Sequence, residues 1–159
     1  MVALLPLLGA CGPGELPVAA DDDRPAGEIA ARGDGLEILG PAANLPPGAG
    51  TGAVYLTVVA TGDAGDRLLG ASTPAARSAM LHESVDEAGV HRMEEHAEGF
   101  AVPAGGRLEL RPGGKHVMLM GMDDGAIEAG TIPLTLHFER AGAIEVPVPV
   151  ASPAAPPRP

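Results

Sequence analysis

The chain has 159 residues, which fits one domain with tails better than two domains. A formal charge of −11 repels phosphate backbones, and two Phe, one Tyr and no Trp leave no platform for stacking bases, so nucleic acid is not an expected partner. The 45 % hydrophobic fraction suffices for a core, but an aliphatic one. The 23 Gly and 17 Pro favour many short strands joined by turns.

Residues 1–11, M-V-A-L-L-P-L-L-G-A-C, form an apolar run ending in small residues, as the end of a secretion signal does. The run is far shorter than the roughly 20 apolar residues a membrane-spanning helix needs. Its ending, Leu8 to Cys11, resembles the bacterial lipobox, in which the cysteine receives lipid and becomes the mature N-terminus. No basic residue precedes Arg24, so the charged start of the signal is expected upstream of Met1. Attachment to a membrane is expected only through lipid on Cys11. A lone cysteine cannot close an internal disulfide. Once lipidated, it leaves the mature domain without a free thiol, which suits an oxidising compartment such as the periplasm. Residues 12–34, with D-D-D at 21–23, read as a flexible acidic tether. Residues 151–159 read as a disordered Pro-rich tail.

Between the tails, residues 35–150 read as strands. G-L-E-I-L-G (35–40) is short, and A-V-Y-L-T-V-V-A (53–60) is stronger, with many β-branched residues. R-L-L-G-A-S follows the turn G-D-A-G-D (62–66). A-M-L-H-E-S-V (79–85) and V-H-R-M-E (90–94) flank D-E-A-G, a hairpin signal. P-A-G-G (103–106) turns the chain into R-L-E-L, and P-G-G (112–114) turns it into H-V-M-L-M. I-P-L-T-L-H-F-E and A-I-E-V-P-V-P-V form a last hairpin around R-A-G. Short strands with turns about every ten residues predict an all-β sandwich or barrel.

The residues with chemistry concentrate between Met80 and Met122. Every methionine except Met1 lies there, as do His82, His91, His96 and His116; His137 follows on a strand where alternation places it at the surface. His116 and Met118 are two apart, so a strand presents both on one face while Val117 and Leu119 point to the core. The hairpin brings His82 and Met93 near one another. Met80, Met120 and Met122 are expected to fill the core. Imidazole and thioether donors without thiolate suit Cu(I), a soft ion content with three or four N and S ligands. A blue-copper centre needs a cysteine ligand, and Cys11 is far from the cluster in sequence, so electron transfer by that route is excluded. Enzyme signatures also fail. H-R-M-E-E-H (91–96) matches neither zinc-protease spacing, G-A-S-T-P around Ser72 lacks the second glycine of a nucleophile elbow, and Gly114-Lys115 lacks the rest of a phosphate loop.

Ten residues separate His82 from Met93, and twenty-two more separate Met93 from His116-Val117-Met118. D-R-L-L-G-A-S-T-P-A-A (66–76), V-P-A-G-G (102–106), L-R-P-G-G-K-H-V-M-L-M-G (110–121) and P-L-T-L-H-F-E (133–139) surround this pattern. Together these stretches resemble the periplasmic PCu(A)C-type copper chaperones, whose pattern is His, ten residues, Met, about twenty-one residues, then His-x-Met. The second spacer here is one residue longer, and Glu83 stands where some members carry Met. The resemblance implies a Greek-key β-sandwich of cupredoxin-like (immunoglobulin-like) architecture, with one Cu(I) held by His82, Met93, His116 and Met118. It also implies delivery toward the CuA centre of cytochrome c oxidase subunit II, alongside a Sco-like protein of thioredoxin fold. His91 and, less strongly, His96 are alternative or supporting donors. Two other readings stand beside this one: a copper-buffering protein without a dedicated acceptor, and a structural sandwich with incidental His and Met.

Overall fold

A computed structural model describes residues 27–48 and 50–151. The signal-like segment, most of the tether and nearly all of the Pro-rich tail lie outside them. The strands are β1 (Ile29–Gly33), β2 (Leu36–Asn44), β3 (Thr51–Ala60), β4 (Asp66–Ser72), β5 (Ala76–Glu87), β6 (Val90–Glu95), β7 (Phe100–Val102), β8 (Arg107–Leu110), β9 (Lys115–Met122), β10 (Thr131–Phe138) and β11 (Gly142–Ala151). One short helix, α1 (Asp124–Glu128), follows β9 and is capped by the Asp123 side chain, which accepts the Gly125 N–H at 3.0 Å. No helix among the described residues is long and apolar enough to cross a membrane.

The hydrogen-bonded path runs β6-β5-β9-β3-β2-β11-β10-β4-β7, with β1 on β2 and β8 on β3. It folds over into two layers, joined where β11 runs parallel to the end of β2. The chain passes repeatedly between layers, from β3 to β4 to β5 and from β9 to β10, as a Greek-key sandwich requires. Ile38, Val54, Val58, Leu81, Val117 and Leu119 from one layer meet Leu68, Ile132, Leu134, Leu136 and Val146 from the other in one aliphatic core. The expected all-β, cupredoxin-like sandwich is therefore what the chain forms.

Alternation explains most of this order. In β3 every second residue is buried, and in β11 Ile144, Val146 and Val148 turn inward while Pro147 and Pro149 face out. Proline is tolerated there because β11 pairs with β2 only at Val150 and Ala151, so at 147 and 149 the edge away from β10 has no ladder to donate to. Two short strands escaped the pattern: β1, which lies within the segment expected as tether, and β7, which has three residues.

Two turns position the candidate ligands. The β5–β6 hairpin closes on Ala88 and Gly89, both with positive φ (54° and 81°). A two-residue loop of that kind matches the twist of paired strands and fixes their register. The P-G-G turn before β9 is closed by the Gly114 N–H donating to the Arg111 carbonyl at 3.1 Å and the Arg111 N–H donating to the Lys115 carbonyl at 2.8 Å. Its Gly113 has φ of 76°, a left-handed conformation that glycine adopts without steric penalty.

Candidate metal centre

Leu81 on β5 and Val117 and Leu119 on β9 are buried in the core. Alternation therefore turns Met80, His82 and Ser84, and likewise His116, Met118 and Met120, to the opposite face of the same layer. Register then decides who meets whom. His82 lies directly across from His116, and Met80 directly across from Met118. On the other side of β5, His82 faces Glu95 and Ser84 faces Met93. On the far side of β9, Met118 faces Ala53 of β3, with Tyr55 two residues on.

The four residues singled out from the sequence thus share one face of three adjacent strands, β6, β5 and β9. His82 and His116 are paired neighbours. Met118 is diagonal to His82 on one side, and Met93 is diagonal to it on the other. Diagonal positions lie about 7–8 Å apart, within reach of long side chains. Met93 sits on the edge strand and is 54 % exposed.

His116 is the most constrained of the set, only 5 % exposed. Its Nδ1 lies 3.0 Å from the Gly114 carbonyl oxygen. A carbonyl can only accept, so Nδ1 carries the proton and the Nε2 lone pair is left free to bind an ion. The same carbonyl accepts the Ser84 N–H at 3.1 Å, so one oxygen ties β5 to the turn and orients the ring. The His82 ring stands edge-on to that of His116, centroids 6.0 Å apart at 70°. Both His82 ring nitrogens are buried without a hydrogen-bond partner. An imidazole denied both water and partner is destabilising unless something else takes its lone pair. The Tyr55 ring lies 6.4 Å from that of His116, and burial raises the phenol pKa, keeping it neutral.

Among the described residues, no group of three or more His, Cys, Asp or Glu is placed to hold a metal ion. Beside the two imidazoles the same face carries thioethers, and a mixed imidazole and thioether set suits a soft ion. The other histidines are placed differently. His91 is exposed, its Nδ1 3.5 Å from Asp86 Oδ2. His96 Nε2 lies 3.1 Å from Glu83 Oε2, an ion-pair contact not aligned as a hydrogen bond, and its ring packs 5.0 Å from that of Phe100. Glu83 also pairs with Lys115 at 3.2 Å. His137 is exposed and shares a hydrogen bond with Ser72 at 2.9 Å.

One expectation is corrected here. Met80 and Met120 do not fill the core; alternation sends them to the face that carries the histidines, and Met120 is 38 % exposed. Met122 does pack on the core, because Gly121, with φ of 66°, breaks the alternation of β9 just before it. The default that a strand methionine is core filler hid Met80, although its spacing of two from His82 carried the signal.

A model of a family described as LpqE-like lipoproteins matches residues 36–150, most of the chain. The chain belongs to the LpqE-like family. A relative from Leifsonia xyli subsp. xyli that carries the name lipoprotein Lxx21020 is 42 % identical over 104 residues, or 65 % of this chain. The matched part spans 62 % of that relative's own length. Among solved structures, the LpqE-like chain superposes on the copper-bound PCuAC domain from PmoF2 with a TM-score of 0.63 and 26 % identity, covering 77 % of this chain and 97 % of that domain. Apo-DR1885 from Deinococcus radiodurans gives 0.54 and 28 %, covering 92 % and 98 %. The Cu(I) form of DR1885 gives 0.54 and 30 %, covering 72 % and 78 %. Family and fold thus agree with the PCu(A)C-type resemblance drawn from the sequence.

Proposed function

We propose that this protein is a copper(I) metallochaperone that takes one Cu(I) at His82, Met93, His116 and Met118 and passes it toward the CuA centre of cytochrome c oxidase. The observation that carries this reading is the His82–His116 pair. One ring is oriented by a carbonyl so that Nε2 is free, and the other has both nitrogens buried and unpartnered, with methionines flanking the pair on the same face. Neutral imidazole and thioether ligands leave the single positive charge of the ion uncompensated, and the carboxylates of a chain with net charge −11 offset it through space. The copper-bound state of the PmoF2 domain and the Cu(I) form of DR1885 support copper as the cargo.

A carrier must also release its ion. Thioethers are weaker donors than thiolates, and the exposure of Met93 on an edge strand leaves one ligand open to a partner. The lipoprotein description of the family and of the relative in Leifsonia xyli supports a protein held outside the cytoplasmic membrane by lipid on Cys11. The protein acts as a carrier and not as an enzyme, with a Sco-like protein as a co-worker in delivery.

Titration of the purified protein with Cu(I) against a chromogenic chelator tests the site. One tight equivalent is expected, and His116→Ala should weaken it by more than the roughly 10- to 100-fold that losing an outer partner of a metal ligand costs. Absence of tight binding in the wild type, or its survival unchanged in His116→Ala, overturns the reading. Transfer from the loaded protein to an apo CuA domain distinguishes a carrier from a buffer that only holds the ion.

A further inference from the structure

We propose that Met80 is a further sulfur ligand to the Cu(I) bound at this face, acting opposite Met118. The inference rests on the copper reading above and deepens it. Its basis is register. β5 reads M-L-H at 80–82 and β9 reads H-V-M at 116–118; antiparallel pairing sets histidine across from histidine and methionine across from methionine. The four side chains occupy the corners of a rectangle on one face of the layer, while Leu81 and Val117 between them point into the core. Met80 and Met118 are both half-buried, unlike the exposed Met93.

Sheet dimensions weigh the candidates. With strands about 4.8 Å apart and about 6.8 Å per two residues, Met80 and Met118 each lie about 7 Å in the plane from the midpoint of the histidine pair. Met93, one strand further out, lies about 10 Å from it. An ion shared by the two imidazoles and reached by Met118 is therefore equally within reach of Met80, and closer to Met80 than to Met93. The donor set can close as two nitrogens and two sulfurs without the edge strand. Met93 is then the ligand that comes and goes, and Met80 keeps the ion coordinated while it does.

The test uses the full chain as wild type, Met93→Leu, Met80→Leu and the double variant Met80→Leu/Met93→Leu. Leucine conserves volume at a half-buried site, so the fold should hold, and matching far-ultraviolet circular dichroism checks this. Cu(I) affinity is read by chelator competition and ligand identity by X-ray absorption at the copper edge. In the Met93→Leu background, Met80→Leu should remove one sulfur scatterer and weaken Cu(I) by at least about tenfold, the low end of what even an outer partner contributes. A double variant with the affinity and sulfur signal of Met93→Leu alone overturns the inference and leaves the copper reading intact. A wild type that binds no Cu(I) overturns both.

Discussion

Replacing His82 by leucine separates what this residue does for the fold from the role proposed for it toward the ion. In the apo protein both ring nitrogens are buried with no partner. A buried donor or acceptor left unsatisfied costs about 1–3 kcal/mol, and a side chain of similar bulk without polar atoms removes that penalty. The apo His82→Leu variant should therefore be more stable than apo wild type by about 1–3 kcal/mol. For a domain of this size each kcal/mol moves the midpoint by roughly 3–5 °C, so its melting temperature should rise by roughly 3–15 °C. With Cu(I) buffered at about 1,000 times the dissociation constant, the wild type should gain about 4 kcal/mol, and the variant should gain little. Calorimetry or thermal circular dichroism with and without buffered Cu(I) reads both quantities. A variant that melts below apo wild type would show that the imidazole is stabilising as it stands, and the orphaned-ring argument would fall.

Other perturbations test separate parts of the structure. Glu95 faces His82 from the edge strand and is exposed; Glu95→Lys should weaken Cu(I) about threefold to tenfold at low salt, with the difference shrinking in high salt. An effect independent of salt would refute the electrostatic account. Burial alone would push the Asp66 carboxyl up, but bonds from the Arg140, Ala141 and Arg67 backbone N–H groups and the Arg140 guanidinium together hold it below its ordinary 3.8. A depressed carboxylate contributes stability that is present above its ordinary value and lost as pH falls through the folded one. Asp66→Asn should therefore melt lower at neutral pH, and its deficit should close in acid; a gap constant with pH would refute this. Gly99 has φ of 81°, and a Cβ there would overlap the Leu68 carbonyl oxygen. Gly99→Ala should lower the unfolding free energy by at least about 2 kcal/mol in urea titration.

The strands and the face shared by His116 and Met118 were legible because a period of two is written into residues such as Val54, Leu56 and Val58. The turn chemistry was legible too: D-E-A-G placed a hairpin, and the hairpin fixes Ser84 against Met93. β1 was hidden because I-A-A-R-G has too little apolar alternation to stand out beside Gly- and Asp-rich neighbours. β7, with three residues, is too short to show a period at all. Met80 was misjudged for a different reason: a methionine on a strand is equally at home in a core, and while its spacing of two from His82 sets its face, its partner across the sheet is nowhere near it in sequence. That partner, Met118, is assigned by the pairing of β5 with β9, a contact between strands separated by the whole of β6, β7 and β8. No local pattern contains it.

The same pairing grades the mobility of the proposed ligands. His116 is on β9, an inner strand bonded on both edges, and its ring is fixed by the Gly114 carbonyl, which also fastens β5. His82 is on β5, between β9 and the edge strand. Met93 is on β6, whose residues are all exposed and whose outer edge is unpaired among the described residues. Stability against local opening falls in that order, because exposed edge elements open at lower free energy than core strands. Ligand mobility therefore rises across the face, from a fixed imidazole through an intermediate one to an exposed thioether. On the proposed carrier reading, an incoming acceptor meets the most mobile donor first and replaces it before the rigid donors let go, so copper changes hands without passing through a free ion.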